Sequence, residues 1–320
     1  MQAALLYLSS PEVPDERVIM ERSGSENFSV AARVLSRSDR RHLLAVYGFA
    51  RLADELGDEY SGDRLVALDW LEGELDRAYA GEARDPLLRR LQATLAECEL
   101  PREPLVRLIE ANRQDQRVTR YETWEQLRGY CELSANPVGE LVLGVFGMLT
   151  PERIALSNRV CTALQLAEHL QDVREDVLRG RLYLPAQDLA RFGCSHEQLI
   201  ALVGYDGGRG DRSGVRSGVP TRGHGPRDER ERLSEAISFE TMRARELLDG
   251  GIALVHSVPG RPKLAVGAFV AGARAALDAI ERTGFDVLGE PSRASRTRRA
   301  WALVRVLGES SVKGARTDRR

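Results

Sequence analysis

Residues 47–59 of this 320-residue chain read YGFARLADELGDE, an apolar helical stretch that ends in two aspartates. Asp54 and Asp58 are four positions apart, so on a helix both carboxylates lie on one face. Like charges at this spacing repel each other, yet Tyr47 and Phe49 place an apolar stripe directly before them. This combination is not typical of a surface helix, and it indicates that a cation binds between the two carboxylates.

Residues 165–176 read QLAEHLQDVRED and contain the only other Asp-x-x-x-Asp match, Asp172 and Asp176. Magnesium prefers oxygen ligands and is commonly shared between a few carboxylates and substrate phosphates. Two such pairs facing each other across a helix bundle could clamp a diphosphate and stabilise it as a leaving group. The spacing alone leaves a second interpretation open, in which two solvated acidic helix ends pair with Arg51 and Arg179.

Helical periodicity dominates the rest of the chain, and no convincing alternating strand pattern is present. The fold class that this predicts is all-α. Residues 138–148 are almost wholly apolar and predict a central buried helix. Further helices are predicted over residues 41–56, 65–79, 87–98, 105–112, 124–133, 154–177, 239–254 and 264–280.

Segment 204–230 is rich in glycine and arginine and has little to bury, which predicts a disordered insertion. Because the same helical style resumes after it, we predict one large helical domain over residues 23–309. The flanking parts are an N-terminal segment, residues 1–22, and a polar tail, residues 310–320.

Composition excludes several classes of protein. The formal net charge of −2 gives no basic field for nucleic acid. Four scattered cysteines indicate reduced thiols, and the five histidines lack ligand-like spacing. No signal peptide is evident, and no apolar run approaches the roughly 18 residues that span a bilayer. We expect a cytoplasmic protein, at most peripheral to the inner face of the plasma membrane.

Three ordered motifs resemble the squalene/phytoene synthase family. Residues 47–59 resemble its first signature, and residues 165–185, which end in RGRLYLP, resemble its second. Between them, residues 130–139, YCELSANPVG, are similar to the central helix turn of the family. The resemblance implies a single-domain, all-α isoprenoid-synthase bundle with a central apolar cavity. It also implies Mg²⁺ as cofactor and a prenyl diphosphate as substrate.

The resemblance implies roles for individual residues. Much of the family has asparagine where this chain has Glu168, which adds negative charge at a magnesium-facing position. The implied magnesium ligands are Asp54, Asp58, Glu168, Asp172 and Asp176. The residues implied to line the reaction centre or to bind the substrate are Tyr47, Arg51, Tyr130, Gln165, Asn27, Phe28 and Arg298. Of these, Arg51 and Arg298 would contact the diphosphate.

Asn27 and Phe28 lie in a stretch that resembles the hydroxysqualene synthase branch, since condensing members more often carry serine at the Asn27 position. A helix N-cap is the simpler interpretation of Asn27. The expected reaction is magnesium-dependent conversion of presqualene diphosphate to hydroxysqualene in squalene and hopanoid biosynthesis. One alternative is head-to-head condensation of two prenyl diphosphates such as farnesyl diphosphate, and another is a non-catalytic helical partner in a terpenoid pathway. We also expect peripheral membrane contact for product release and contact with neighbouring pathway enzymes.

Overall fold

A computed structural model describes residues 35–207 and 226–289, together with residues 302, 303, 306 and 307. Within these ranges the chain forms twelve helices and no strand, which confirms the all-α prediction. The helices are α1 Arg37–Asp58, α2 Arg64–Tyr79, α3 Pro86–Cys98, α4 Arg102–Asp115, α5 Trp124–Ser134, α6 Asn136–Val145, α7 Pro151–Leu178, α8 Ala186–Arg191, α9 His196–Gly207, α10 Pro226–Gly251, α11 Ala253–Ser257 and α12 Gly260–Arg282.

Several predictions fall on residues that lie outside the described part. These are the N-terminal segment 1–22, the tail 310–320, and the site residues Asn27, Phe28 and Arg298. The extent of the predicted domain, residues 23–309, likewise stays a prediction. Among the described helices, none is long and apolar enough to cross a membrane.

The two helices that carry the aspartate pairs have clear local start and stop signals. The Ser36 side chain caps α1 by accepting a hydrogen bond from the backbone N–H of Asp39. Thr150 caps α7 in the same way, and Pro151 occupies its first turn. Gly180, with a φ of +78°, lies just beyond the end of α7, where the left-handed conformation favours glycine.

The apolar stretch 138–148 contributes to a largely buried helix, as predicted, but the helix begins and ends earlier than predicted. Helix α6 runs from Asn136 to Val145, and Val138 is 39% exposed. Gly147, with a φ of +66°, donates its backbone N–H to the Gly144 carbonyl and ends the helix. Glu140 is the only polar position in this stretch, and one polar residue gives no periodicity that would show which face turns outward.

The predicted bounds of the insertion, residues 204–230, need correction at both ends. Helix α9 continues to Gly207, and α10 already begins at Pro226. Proline fits the first turn of a helix, and Asp228 and Glu229 in that turn complement the helix dipole. Averaging the composition over the whole segment concealed these signals. Residues 208–225 lie outside the described part.

The described helices bury two adjoining apolar clusters. One is centred on α1 to α4 and includes Phe49 and Leu105, both fully buried. The other surrounds α7, where Leu166 and Leu170 pack against residues of α10 and α12 such as Ile237 and Val270. The first aspartate pair therefore belongs to a helix of one cluster and the second pair to the central helix of the other.

The segment that follows α7 is hydrogen-bonded to the loop between α4 and α5. The backbone N–H of Leu182 donates to the Thr119 carbonyl over 2.8 Å, and that of Ala186 donates to Tyr121 over 3.0 Å. Arg120 and Leu182 form an isolated parallel bridge. These bonds fix the course of the backbone from Gly180 to Ala186 beside the end of α4.

A buried ionic cluster joins α8 to α10. One Arg243 nitrogen donates to Asp188 and to Glu240, each over 2.8 Å, and its guanidinium lies 4.6 Å from the Trp124 ring centroid. Asp188 and Glu240 are both buried, and they share one partly buried guanidinium. Burial raises the pKa of Glu240 to about 8, and the nearby charge of Asp188 adds to the rise while Arg243 opposes it.

The Glu240→Gln substitution is therefore expected to flatten the dependence of stability on pH. An ordinary glutamate titrates near pH 4.5, so the folded protein holds an extra proton from there up to about pH 8. Wild-type stability falls as pH rises through this window, and the variant avoids up to about 4 kcal/mol of that loss. Urea unfolding at pH 5 and pH 9 measures the free energy of unfolding of each protein, and Glu246→Gln, at an exposed position, is the control. Equal pH slopes for wild type and Glu240→Gln would contradict the expectation.

Candidate functional site

The two aspartate pairs face a common cavity of about 230 Å³ where the two apolar clusters meet. Asp54 and Asp58 enter it from α1, while Asp172 and Asp176 enter from α7. The cavity is also lined by three further residues that the sequence singled out, Tyr130, Gln165 and Glu168. Chain folding thus brings together seven of the predicted site residues from three helices.

Two predicted residues lie near this cavity without lining it. Tyr47 and Arg51 precede Asp54 on α1, and neither is among the residues that line the cavity. The Arg51 guanidinium lies 3.7 Å from the Glu55 carboxylate and 3.8 Å from that of Glu59. Its positive charge nevertheless reaches the site, since it helps to stabilise the ionised form of Asp54. Contact of Arg51 with a diphosphate stays a prediction.

Asp54 is held in place from α4. Its side chain is open to the cavity, but the crowding of the surrounding helices desolvates the carboxylate and raises its pKa to about 6. The Asn112 amide opposes that rise by donating to Asp54 Oδ1 over 3.3 Å. A side chain at position 57 would overlap the Asn112 carboxamide, so Gly57 permits α1 and α4 to approach this closely.

Asp115, at the end of α4, is a cavity carboxylate that the sequence analysis missed. Its Oδ2 accepts a hydrogen bond from the Tyr130 hydroxyl over 2.9 Å. Burial raises the pKa of Asp115 to about 6, an effect that the charge of Arg181 opposes most. Its other oxygen, Oδ1, is buried and has no hydrogen-bond partner among the described residues. The atom is therefore suited to accept a ligand.

On the face of α7 that lines the cavity, His169 lies between two polar neighbours, Gln165 and Asp176. Its Nε2 lies 3.1 Å from the Gln165 amide nitrogen, and its Nδ1 lies 3.9 Å from Asp176 Oδ2. The imidazole stacks on Tyr183 with centroids 3.8 Å apart. Burial, reinforced by the charge of Arg181, lowers the pKa of His169 to about 3. The ring is thus neutral, and it orients its two neighbours by hydrogen bonding and contact.

Burial also acts on Asp176 and on Tyr130. The pKa of Asp176 rises to about 7, mainly through burial and then through the nearby charge of Asp172. The pKa of Tyr130 rises well above its usual value, again through burial first and then the charge of Asp115. Tyr130 therefore keeps its proton and serves as a hydrogen-bond donor.

Arg181 and Tyr183 come from the segment that follows α7. Arg181 Nη2 donates to Asp58 Oδ1 over 2.6 Å, which links the end of α7 to the end of α1. The Tyr183 ring packs between His169 and Tyr130, whose ring centroid is 5.5 Å away. Both residues lie in the RGRLYLP stretch, so the second signature contained a signal for them. Asp115, in contrast, belongs to none of the three motifs.

The chemistry of the cavity fits a divalent cation bound together with an anionic ligand. Six carboxylates line it and only one guanidinium, that of Arg181, does so among the described residues. No group of three or more potential ligands in the described part is close enough to hold a metal by itself. Magnesium keeps several waters and shares its shell with phosphate oxygens, so partial protein ligation of this kind suits it.

Comparisons with known proteins agree with this architecture. A hydroxysqualene synthase of Sinorhizobium fredii is 36% identical over 180 residues, which cover 55% of this chain and 60% of that protein. A phytoene synthase of Arthrospira platensis is 30% identical over 284 residues and 83% of either chain. The chain thus spans only about 60% of the length of the matched hydroxysqualene synthase.

Solved structures give a consistent result. The crystal structure of squalene synthase HpnC from Alicyclobacillus acidocaldarius has a TM-score of 0.72 and 43% identity, covering 84% of this chain and 94% of that one. A dehydrosqualene synthase shares the fold, with a TM-score of 0.74, 21% identity, and coverage of 93% of this chain and 95% of that one. The squalene/phytoene synthase family as a whole matches residues 21–208 and 211–300. The chain therefore belongs to the squalene/phytoene synthase family.

Proposed function

We propose that this protein is a magnesium-dependent enzyme that converts presqualene diphosphate to hydroxysqualene and diphosphate. The observation that carries the proposal is the single cavity into which both aspartate pairs project. Similarity to a hydroxysqualene synthase of Rhodopseudomonas palustris, 38% identical over 178 residues, 54% of this chain and 60% of that protein, favours this branch of the family.

In the proposed reaction, the carbon–oxygen bond breaks and both electrons leave with the diphosphate. The carbocation rearranges, and a water oxygen bonds to it as one carbon–carbon bond of the cyclopropane ring breaks. The surplus proton passes to the released diphosphate or to solvent. The contribution of bound magnesium would be to neutralise the leaving group, with Asp54, Asp58, Asp172, Asp176 and Glu168 as its carboxylate ligands.

The remaining cavity residues would orient and shelter the reacting groups. Tyr130 holds its proton and is fixed by Asp115, so it can donate a hydrogen bond but does not act as a base. Gln165 is oriented by His169 and can position a polar ligand beside Tyr130. Leu108 and Ala111 form an apolar part of the cavity wall, which limits the access of water to the cation.

A second candidate function is head-to-head condensation of two prenyl diphosphates. The phytoene synthase of Arthrospira platensis covers more of this chain than the matched hydroxysqualene synthases do. The same carboxylates would serve that reaction, because it also begins with loss of diphosphate. For either reaction we expect a peripheral membrane contact during product release, since the products are very hydrophobic.

Product analysis separates the two candidates. Purified protein with magnesium is expected to convert presqualene diphosphate to hydroxysqualene and to leave farnesyl diphosphate unchanged. Mass spectrometry of the extracted lipids identifies the products, and excess EDTA is expected to abolish the conversion. Formation of presqualene diphosphate or a longer homologue from a linear prenyl diphosphate would instead assign the condensing reaction.

The Asp172→Asn substitution is expected to lower kcat/KM at least 100-fold, because it removes one carboxylate charge from the cavity. That loss corresponds to about 2.7 kcal/mol of transition-state stabilisation. Glu175→Gln is the matched control, since Glu175 is exposed on the same helix and pairs with Arg179 over 2.7 Å. Comparable losses in both variants, or Mg²⁺ affinity unchanged by Asp172→Asn, would favour a non-catalytic role.

Mg²⁺ affinity is expected to rise with pH between about 5.5 and 7.5 and then level off. The pKa values of Asp54 and Asp115 are raised to about 6, and that of Asp176 to about 7. Protons on these carboxyls must leave when the metal binds, so binding strengthens as the pH passes through these values. Isothermal titration calorimetry in buffers of different ionisation enthalpy counts the released protons. An affinity that is constant over this range would refute the coupling.

A further inference from the structure

Arg181 occupies an unusual electrostatic position in the cavity. It is the one guanidinium among the described lining residues, where it faces six carboxylates. It donates directly to Asp58 over 2.6 Å, and its charge opposes the rise in the pKa of Asp115 and of Asp176. Arg181 therefore offsets part of the repulsion between carboxylates from α1, α4 and α7.

The backbone of Arg181 is fixed, while its side chain has room to move. The backbone N–H of Arg181 donates to the Asp176 carbonyl over 2.8 Å, and Leu182 is bonded to Thr119 as described above. The Arg181 side chain is 21% exposed and that of Asp58 is 41% exposed. A change of partner would thus require rotation of side-chain bonds alone.

Metal ions and Arg181 compete for the same negative charge. A divalent cation at Asp58 would stand close to the guanidinium, and the two positive charges would repel each other. A diphosphate that arrives with the metal offers a better partner, because a guanidinium binds phosphate oxygens through paired, charge-assisted hydrogen bonds.

We propose that Arg181 is a stand-in cation, which pairs with Asp58 while the cavity lacks metal and transfers to the diphosphate once metal ions occupy the carboxylates. This inference rests on the proposed function only in assuming a metal-bound diphosphate. It assigns Arg181 two roles, holding the empty site together and binding the leaving group.

Binding measurements on the full-length protein test the proposal. The variants are Arg181→Gln, Arg181→Lys and the control Arg179→Gln. Arg179 lies two positions away and also influences Asp176, but its side chain is exposed and pairs with Glu175. Thermal midpoints are measured in EDTA and in saturating Mg²⁺, and the Kd of inorganic diphosphate is measured by calorimetry with Mg²⁺ present.

For Arg181→Gln we expect a lower midpoint in EDTA, a larger Mg²⁺-induced rise than in wild type, and diphosphate binding at least tenfold weaker. Arg181→Lys keeps the charge, so its midpoint stays close to wild type while diphosphate binding weakens at least threefold. Arg179→Gln leaves all three quantities unchanged.

A purely structural tether predicts a different pattern, in which Arg181→Gln lowers the midpoint, Mg²⁺ restores nothing extra, and diphosphate binds as in wild type. That result, or an unchanged diphosphate Kd in Arg181→Lys, would overturn the proposal. Because the test uses only inorganic diphosphate and Mg²⁺, its result does not depend on which organic substrate the enzyme converts or which product it forms. A protein that fails to form hydroxysqualene can therefore still pass this test, and the two failures are distinguishable.

Discussion

Mutual repulsion between carboxylates is the constraint on which this structure depends. Six acidic side chains face one cavity, and three of them, Asp54, Asp115 and Asp176, have pKa values raised by burial. Such a site costs stability in the absence of cations, because six carboxylates of one sign are brought together around a cavity where three of them are partly desolvated. The cost is characteristic of a functional site, where the arrangement suits a ligand and not the empty fold.

The surrounding scaffold holds these groups in place by rigid means. Asn112 orients Asp54, the Tyr130 hydroxyl binds Asp115, and His169 fills the space between Gln165 and Asp176. The tied segment after α7 brings Tyr183 against His169. Each carboxylate that could bind a metal thus stands on a helix or beside a backbone already fixed by hydrogen bonds. Preorganisation of this kind is what stabilises a departing anion without further rearrangement.

The ionic cluster of Asp188, Glu240 and Arg243 repeats the same physics away from the cavity. Two buried carboxylates again share one guanidinium, and burial again raises a carboxyl pKa. Here the carboxylates and the guanidinium bind one another directly, so the cluster connects α8 and α10. The carboxylates of the cavity are therefore available to a metal ion, whereas those of the Asp188–Glu240–Arg243 cluster join two helices.

The sequence by itself determined the helical class, most helix positions and the two aspartate pairs. Local periodicity and the i, i+4 spacing carry that information, because each depends on neighbours within one or two turns. The resemblance to the family, and not any periodicity, pointed to Tyr130, Gln165 and Glu168. The sequence did not show which face of α6 is exposed, since Glu140 is the only polar residue in 138–148 and cannot define a periodicity. Only the tertiary structure shows that Asp115 and Asn112 line the cavity and that Tyr47 and Arg51 are not among its lining residues. It also pairs Arg181 with Asp58, which are 123 positions apart in the sequence. Those relations depend on how α1, α4 and α7 pack together, and no local pattern records the distance between separate helices.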